Sequence, residues 1–235
     1  MTDGRTALII PAAGSGQRMQ SEVPKPYLRL GGMAVLEHTM RAFCHLESLV
    51  QVIIPTKKEY VKEAEQMLRR TFPSRSVLAM EGGRERQNSI QKALSAVLDD
   101  VEWVIIHDAV RPFIQKEDIA RCIEDAKRKG AAIVAVPVKD TIKQVEQNGF
   151  ISSTPERKKL WQAQTPQIFR KDWLTEAYME ADEKGYVMTD DASALEQAGR
   201  SVYITEGSRS NFKLTYPLDF EIAEQMVQRR TALSG

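Results

Sequence analysis

Little in this chain is extreme. Of its 235 residues only two are cysteine, Cys44 and Cys122, and they form no Cys-x-x-Cys pair. A disulfide framework is excluded, and two free thiols buried in amphipathic helical patterns are expected, as suits a reducing cytoplasm. The three histidines, His38, His45 and His107, lack zinc-site spacing with those cysteines, so a structural metal is not expected. No apolar run approaches the roughly 18 residues of a membrane helix. A strand opening by Thr6 leaves no room ahead of it for a signal peptide. Lys plus Arg number 33 against 32 Asp plus Glu, a net charge of +1. No global field therefore draws nucleic acid or an acidic membrane, and any anion must be held by local clusters. A Gly-x-Ser-x-Gly nucleophile elbow, a His-Glu-x-x-His zinc helix and a Gly-Lys-Ser/Thr phosphate loop are all missing.

What is present fits an α/β protein. Apolar strands are expected at Thr6–Ile10, Val50–Ile54, Ser76–Met80, Trp103–Ile106, Ala132–Val136 and Ser201–Ile204. Helical faces fall between them. Val35, Leu36, Thr39, Met40 and Phe43 form one, Ile90, Leu94, Val97 and Leu98 another, Ile119, Ile123 and Ala126 a third. This alternation implies a mostly parallel, twisted sheet covered by helices on both faces, within one domain spanning 1–235. From 139 to 157 the pattern breaks. Asn148-Gly149 is a hairpin turn signal between Thr141–Val145 and Phe150–Thr154. A lone hairpin is marginal in water, so this segment either lies on its own domain or packs on another subunit, and a projecting arm exchanged across a homodimer is the favoured reading.

The first strand runs into Pro11-Ala-Ala-Gly-Ser-Gly-Gln-Arg-Met, followed by Pro24-Lys25-Pro26. Gly14 and Gly16 let the backbone turn sharply and bring its N–H groups to an anion. Arg18 and Lys25 add two positive charges, and the two prolines stiffen the chain around Lys25. Met19 stands where a dinucleotide fingerprint needs its third glycine, which disfavours an NAD(P) oxidoreductase. Glycine turn, arginine and clamped lysine together suit a triphosphate attacked at its α-phosphorus.

A second element, Trp103-Val-Ile-Ile-His-Asp-Ala-Val-Arg-Pro, delivers Asp108 to the same sheet rim. A carboxylate there suits Mg²⁺ holding triphosphate oxygens, or else caps a turn. Arg111 could grip a second anion, and His107 reads as a packing residue. Gly82-Gly83 through Ser89 could read a flat base edge or merely turn into a helix. Lys139-Asp140-Thr141 and Glu156-Arg157 bracket the arm as a solvated charged hairpin. Thr189-Asp190-Asp191-Ala192-Ser193 reads first as an acidic helix N-terminus. Neither charge nor periodicity explains Trp161-Gln-Ala-Gln-Thr-Pro-Gln, around Thr165, and Lys213 faces either solvent or the site.

Taken in order, these motifs resemble those of 2-C-methyl-D-erythritol 4-phosphate cytidylyltransferases of the non-mevalonate isoprenoid pathway. Pro137-Val-Lys-Asp-Thr, Gln164-Thr-Pro-Gln and Asn211-Phe-Lys213 complete the match over nearly the whole length. The resemblance implies a Rossmann-like nucleotidyltransferase fold in a cytoplasmic homodimer, acting on CTP and a small polyol phosphate. It implies nucleotide binding by Ala12, Ala13, Gly14, Ser15, Gly16, Gly83, Ser89 and Asp108, with Mg²⁺ on Asp108. Arg18, Lys25 and Lys213 would be catalytic. Arg111, Thr165 and Lys213 would hold the polyol phosphate, together with Thr141 and Arg157 reaching across from the partner's arm. Arg84 and Pro26 depart from residues common in the family. A ribitol 5-phosphate cytidylyltransferase would share the nucleotide logic and differ in the polyol pocket. A nucleotide sensor that lost turnover would not be expected to keep Arg18, Lys25, Asp108 and Lys213 together.

Overall fold

Strand β1 (Thr6–Ile9) buries both its faces, Ala7 and Ile9 on one side of the sheet and Leu8 on the other. That two-sided burial is what continuously apolar strands require. The computed structural model describes residues 4–14 and 23–234, the last five by backbone alone. After β1 come the short pair β2 (Arg29–Leu30) and β3 (Met33–Ala34), then α1 (Val35–Arg41), β4 (Leu49–Thr56), α2 (Val61–Thr71) and β5 (Ser76–Glu81). The chain continues through α3 (Arg86–Leu94), β6 (Trp103–Ile106), α4 (Lys116–Lys129) and β7 (Ala131–Pro137). The hairpin β8 (Gln144–Val145) and β9 (Ile151–Ser153) precedes β10 (Trp161–Arg170), α5 (Lys171–Glu183), α6 (Asp191–Gln197), β11 (Tyr203–Glu206) and α7 (Pro217–Ser234).

Seven strands form one sheet in the order β11-β7-β10-β6-β1-β4-β5. All neighbours are parallel except β10, which runs antiparallel to both β6 and β7. Strand order reverses at β1, so the carboxyl ends of β1, β4 and β6 open a crevice where ligands of such sheets bind. Leu36, Met40, Leu68 and Ile119 from α1, α2 and α4 cover one face, and Ile90, Leu94, Leu174 and Leu195 from α3, α5 and α6 cover the other. A smaller cluster, with Leu30, Val35, Phe113, Leu214 and Ala223, seats α7 beside the crevice.

The structure departs from the sequence reading in four places. Strand β10 occupies the segment that showed no pattern, because its buried positions include Gln164, Thr165 and Gln167, whose polar groups are bonded internally. The last strand lies at Tyr203–Glu206, two residues beyond its expected start. Cys44 is exposed, since α1 ends at Arg41 and the thiol falls in the following turn, whereas Cys122 is buried in α4; both are free. The arm has its Asn148-Gly149 turn, with Gly149 at φ +88° and its N–H donating to Glu146 O at 2.9 Å. Its ladder is shorter than expected, and every residue from 139 to 154 is exposed.

Candidate active site

The loop after β1 is tied to β4 by Ala12 N–H donating to Pro55 O at 2.8 Å, which aims Ala12, Ala13 and Gly14 along the crevice. Ser15, Gly16 and Arg18 lie outside the described residues. Lys25 opens a tight 3₁₀ turn, Lys25–Tyr27, after Pro24. The Tyr27 ring stacks on Tyr60 at 4.2 Å, and its hydroxyl meets Thr56 Oγ1 at 2.6 Å. Lys25 is only 8% exposed, and its Nζ donates to Thr215 O at 2.5 Å. That carbonyl is itself held in place. Asp219 Oδ2 accepts from Thr215 N and Tyr216 N, both at 2.7 Å, at the start of α7.

Opposite Lys25, β6 delivers Asp108 to a nest of cations. Lys213 Nζ lies 3.1 Å and Arg111 Nε 3.2 Å from Oδ2, while Arg86 Nε is 3.5 Å from Oδ1. Burial alone would push the Asp108 carboxyl up, but Lys213, Arg86 and Arg111 outweigh it and hold it well below the usual carboxylate range. Arg111 is anchored from behind by donating to Asn211 O at 2.8 Å.

Thr165 sits behind Asp108, because β10 pairs Gln167 with Ile106 and so carries Thr165 past the end of β6. Its hydroxyl accepts from Asp108 N at 3.0 Å and meets His107 Nδ1, also at 3.0 Å. The Arg111 carbonyl can only accept, so the His107 proton sits on Nε2, 3.1 Å from Arg111 O, and Nδ1 of the neutral ring accepts from the Thr165 hydroxyl. His107 is a satisfied core residue, as the sequence suggested. Burial lowers its pKa to about 4 from 6.5.

The sign of its linkage follows. From pH 6.5 downward the unfolded chain takes up a proton that the native imidazole refuses, so stability falls with pH. The loss is about 2 kcal/mol by pH 5. Urea unfolding at pH 7 and pH 5 should show this drop, and His107→Gln should flatten it. An equal drop in both proteins would contradict a neutral native histidine.

The third wall is the Gly82–Ser89 turn. Gly82 N–H donates to Thr56 O at 2.7 Å, and a Cβ there would lie 2.6 Å from Ala13 Cβ. At Gly83 a Cβ would lie 2.3 Å from Asn88 Cβ. Gly82 therefore lets this turn close against the first loop, and Gly83 lets it fold tightly onto the start of α3. The Ser89 hydroxyl accepts from Gly83 N at 2.9 Å and donates to Glu85 O at 3.1 Å, so it shapes the turn. Arg86, at the first position of α3, was not singled out from sequence. It makes a two-pronged pair with Asp191, Nη1–Oδ1 at 3.0 Å and Nη2–Oδ2 at 2.7 Å, and lines the cleft. The Thr189–Ser193 motif does cap a helix, through Asp190 and Ser193 N at 3.0 Å, but Asp191 faces inward.

Ala12, Ala13, Gly14, Lys25, Gly83, Ser89, Asp108 and Lys213 thus line one cleft of about 420 Å³. Arg111 and Thr165 support it from behind Asp108. Thr141 and Arg157 are not among the lining residues; both are exposed on the arm, where Arg157 Nη1 donates to Lys139 O at 3.1 Å. Among the described residues no cluster of three or more His, Cys, Asp or Glu could hold a metal by itself. One carboxylate per site fits Mg²⁺ when a triphosphate supplies the other oxygens. Asp108 offers Oδ1, whose ion pair is the loosest of the three.

The family model for 2-C-methyl-D-erythritol 4-phosphate cytidylyltransferase (IspD) matches residues 6–229. The enzyme of that name from Syntrophus aciditrophicus is 40% identical over 228 residues, covering 96% of this chain and 97% of the relative. That from Bacillus licheniformis is 42% identical over 221 residues, covering 94% and 95%. Among solved structures, the 4-diphosphocytidyl-2C-methyl-D-erythritol synthase of Anaerococcus prevotii superposes with a TM-score of 0.86 at 28% identity, over 96% of this chain and 97% of that one. The Thermus thermophilus cytidylyltransferase gives 0.77 at 32%, over 95% and 99%. The chain belongs to the 2-C-methyl-D-erythritol 4-phosphate cytidylyltransferase family.

Proposed function

We propose that the cleft binds CTP beside 2-C-methyl-D-erythritol 4-phosphate and transfers the cytidylyl group between them. An oxygen of the substrate phosphate attacks the α-phosphorus of CTP, a new P–O bond forms, and the bond to the β-phosphate breaks. The products are 4-diphosphocytidyl-2-C-methyl-D-erythritol and pyrophosphate. The observation that carries this reading is the convergence of Lys25, Lys213, Arg86 and Asp108 on one cleft walled by two glycine-bearing turns.

A phosphate monoester has its second pKa near ~6, so at neutral pH it is already a nucleophile and needs no general base. The protein's work is charge neutralisation and in-line placement. Lys25 and Arg18 oppose the charge that builds on the α-phosphorus and its leaving group. Ala12, Ala13, Gly14, Ser15 and Gly16 bind the triphosphate, and the Gly83 turn, shaped by Ser89, meets the cytosine. Lys213 and Arg111, oriented by Asp108, hold the polyol phosphate, with Thr165 fixing the Asp108 backbone. A divalent cation such as Mg²⁺, when bound by Asp108 and triphosphate oxygens, would supply Lewis-acid charge neutralisation.

The arm is the remaining part. Its exposed Ile142, Val145, Phe150 and Ile151 are the kind of apolar surface that marks an interface. We assign it to a homodimer in which Thr141 and Arg157 complete the partner's polyol site. A monomeric mass in sedimentation equilibrium would sink that assignment. No described helix is long and apolar enough to cross a membrane; with two free thiols, we place this single-domain enzyme in the cytoplasm.

The decisive assay is pyrophosphate release with CTP and Mg²⁺, comparing methylerythritol 4-phosphate with ribitol 5-phosphate. Turnover with the first is expected. Turnover with ribitol phosphate alone would move the polyol assignment, and silence with both would overturn it.

A further inference from the structure

From the bidentate Arg86–Asp191 pair and its tyrosine partner, we infer that Asp191 and Tyr178 are positioning residues that hold Arg86 in the wall of the cleft and keep it off Asp108. The inference rests on reading the cleft as the site of cytidylyl transfer. Arg86 stands between two carboxylates. Both of its terminal nitrogens engage Asp191, while only Nε faces Asp108, at a looser 3.5 Å. Asp191 is wholly buried, and Tyr178, itself 3% exposed, donates its hydroxyl to Asp191 Oδ1 at 2.5 Å.

Stability alone gives little reason for this arrangement. Desolvating an ion pair and a phenol between α3, α5 and α6 costs about as much as the pairing returns, and apolar side chains of similar volume would serve at least as well. What the triad adds is direction. A planar guanidinium gripped at two nitrogens cannot rotate about its own axis. Released, it would turn both prongs on Asp108 and occupy the carboxylate that orients Lys213 and Arg111.

The spacing of the two carboxylates is also built in. Gln167 on β10 pairs with Ile106 of β6, two residues before Asp108. Its side chain donates to Asp190 Oδ2 at 2.9 Å and accepts from Ala192 N at 3.0 Å, pinning the start of α6 on both sides of Asp191. One antiparallel register therefore indexes both carboxylates that flank Arg86.

The test uses the full-length enzyme and a double-mutant cycle. Asp191→Asn should lower kcat about tenfold, and Tyr178→Phe about threefold, with neither loss repeated when residue 86 is already alanine, because residues acting through a shared partner are not additive. Equal fold losses in the Arg86 and Arg86→Ala backgrounds would mark a merely structural role and overturn the inference. So would a folded Tyr178→Phe enzyme with native kcat, the variant that decides if Asp191→Asn does not fold. A crystal structure of Asp191→Asn, or of Tyr178→Phe in that event, reads the clamp without reference to substrate. Arg86 swung to bidentate contact with Asp108 is expected in the former, and a looser Arg86–Asp191 pair in the latter; a guanidinium unmoved in either would overturn the clamp even if the assignment of the reaction stood.

Discussion

Replacing Lys25 with alanine is expected to lower kcat by about a thousandfold, the range found when one fixed donor to a developing oxyanion is removed. KM for CTP should change far less. The split follows from how the residue is held. Two prolines flank it, Tyr27 locks its turn against Tyr60 and Thr56, and the ammonium is steered by a carbonyl that Asp219 fixes in turn. A cation so constrained contributes through where it stands when charge builds, more than through initial binding. Lys25→Arg should not rescue, because a planar guanidinium cannot enter an 8%-exposed slot shaped for a compact ammonium. Arg18→Ala should show a loss of the same order if it opposes the same charge. Rapid-quench measurement of pyrophosphate release at saturating substrates separates the effects. Turnover within a few-fold of native in Lys25→Ala would refute the role.

How far the sequence could anticipate this site depended on the kind of signal each residue leaves. Strands such as Trp103–Ile106 are unbroken apolar runs, so they and the helices between them announce themselves by periodicity. The glycine-bearing loop and Pro24-Lys25-Pro26 are also local signals, and Gly14 and Lys25 both line the cleft. Strand β10 carried no such mark. Three glutamines and a proline give neither a charge nor a periodicity signal, and their place in a strand becomes intelligible only when Gln164 and Gln167 are seen bonded to Asn211, Asp190 and Ala192. Arg86 and Asp191 are separated by 105 positions; Asp191 read as ordinary helix N-terminal chemistry, and Arg86 lay unremarked in its glycine-bearing turn. Ser89 and Thr165 bear hydroxyls that suggested ligand contacts. Their bonds to Gly83, Glu85, Asp108 and His107 show that both shape the backbone of the cleft. Local chemistry was legible; which distant groups share a partner was not.

The other large effect concerns the arm. Arg157→Ala should raise KM for the polyol phosphate steeply, since removing a cation that meets a phosphate leaves that anion poorly paired. Within one chain this would be hard to understand, because Arg157 is exposed and does not line the cleft. Exchange across a dimer resolves it and gives a sharper test. In the proposed dimer Lys25→Ala would damage the body of a site, whereas Arg157→Ala would damage the arm given to the neighbour. Unfolded together, refolded and assayed with polyol phosphate far below the KM of Arg157→Ala, where each variant alone is nearly inactive, the pair should regain about a quarter of native activity, because random pairing leaves about half the dimers mixed, each with one intact site. An arm that folded back on its own body would give no recovery, since every chain would then carry one broken half of its own site. The recovered fraction should also fall on dilution as the dimers separate, while a native monomeric site would be indifferent to concentration.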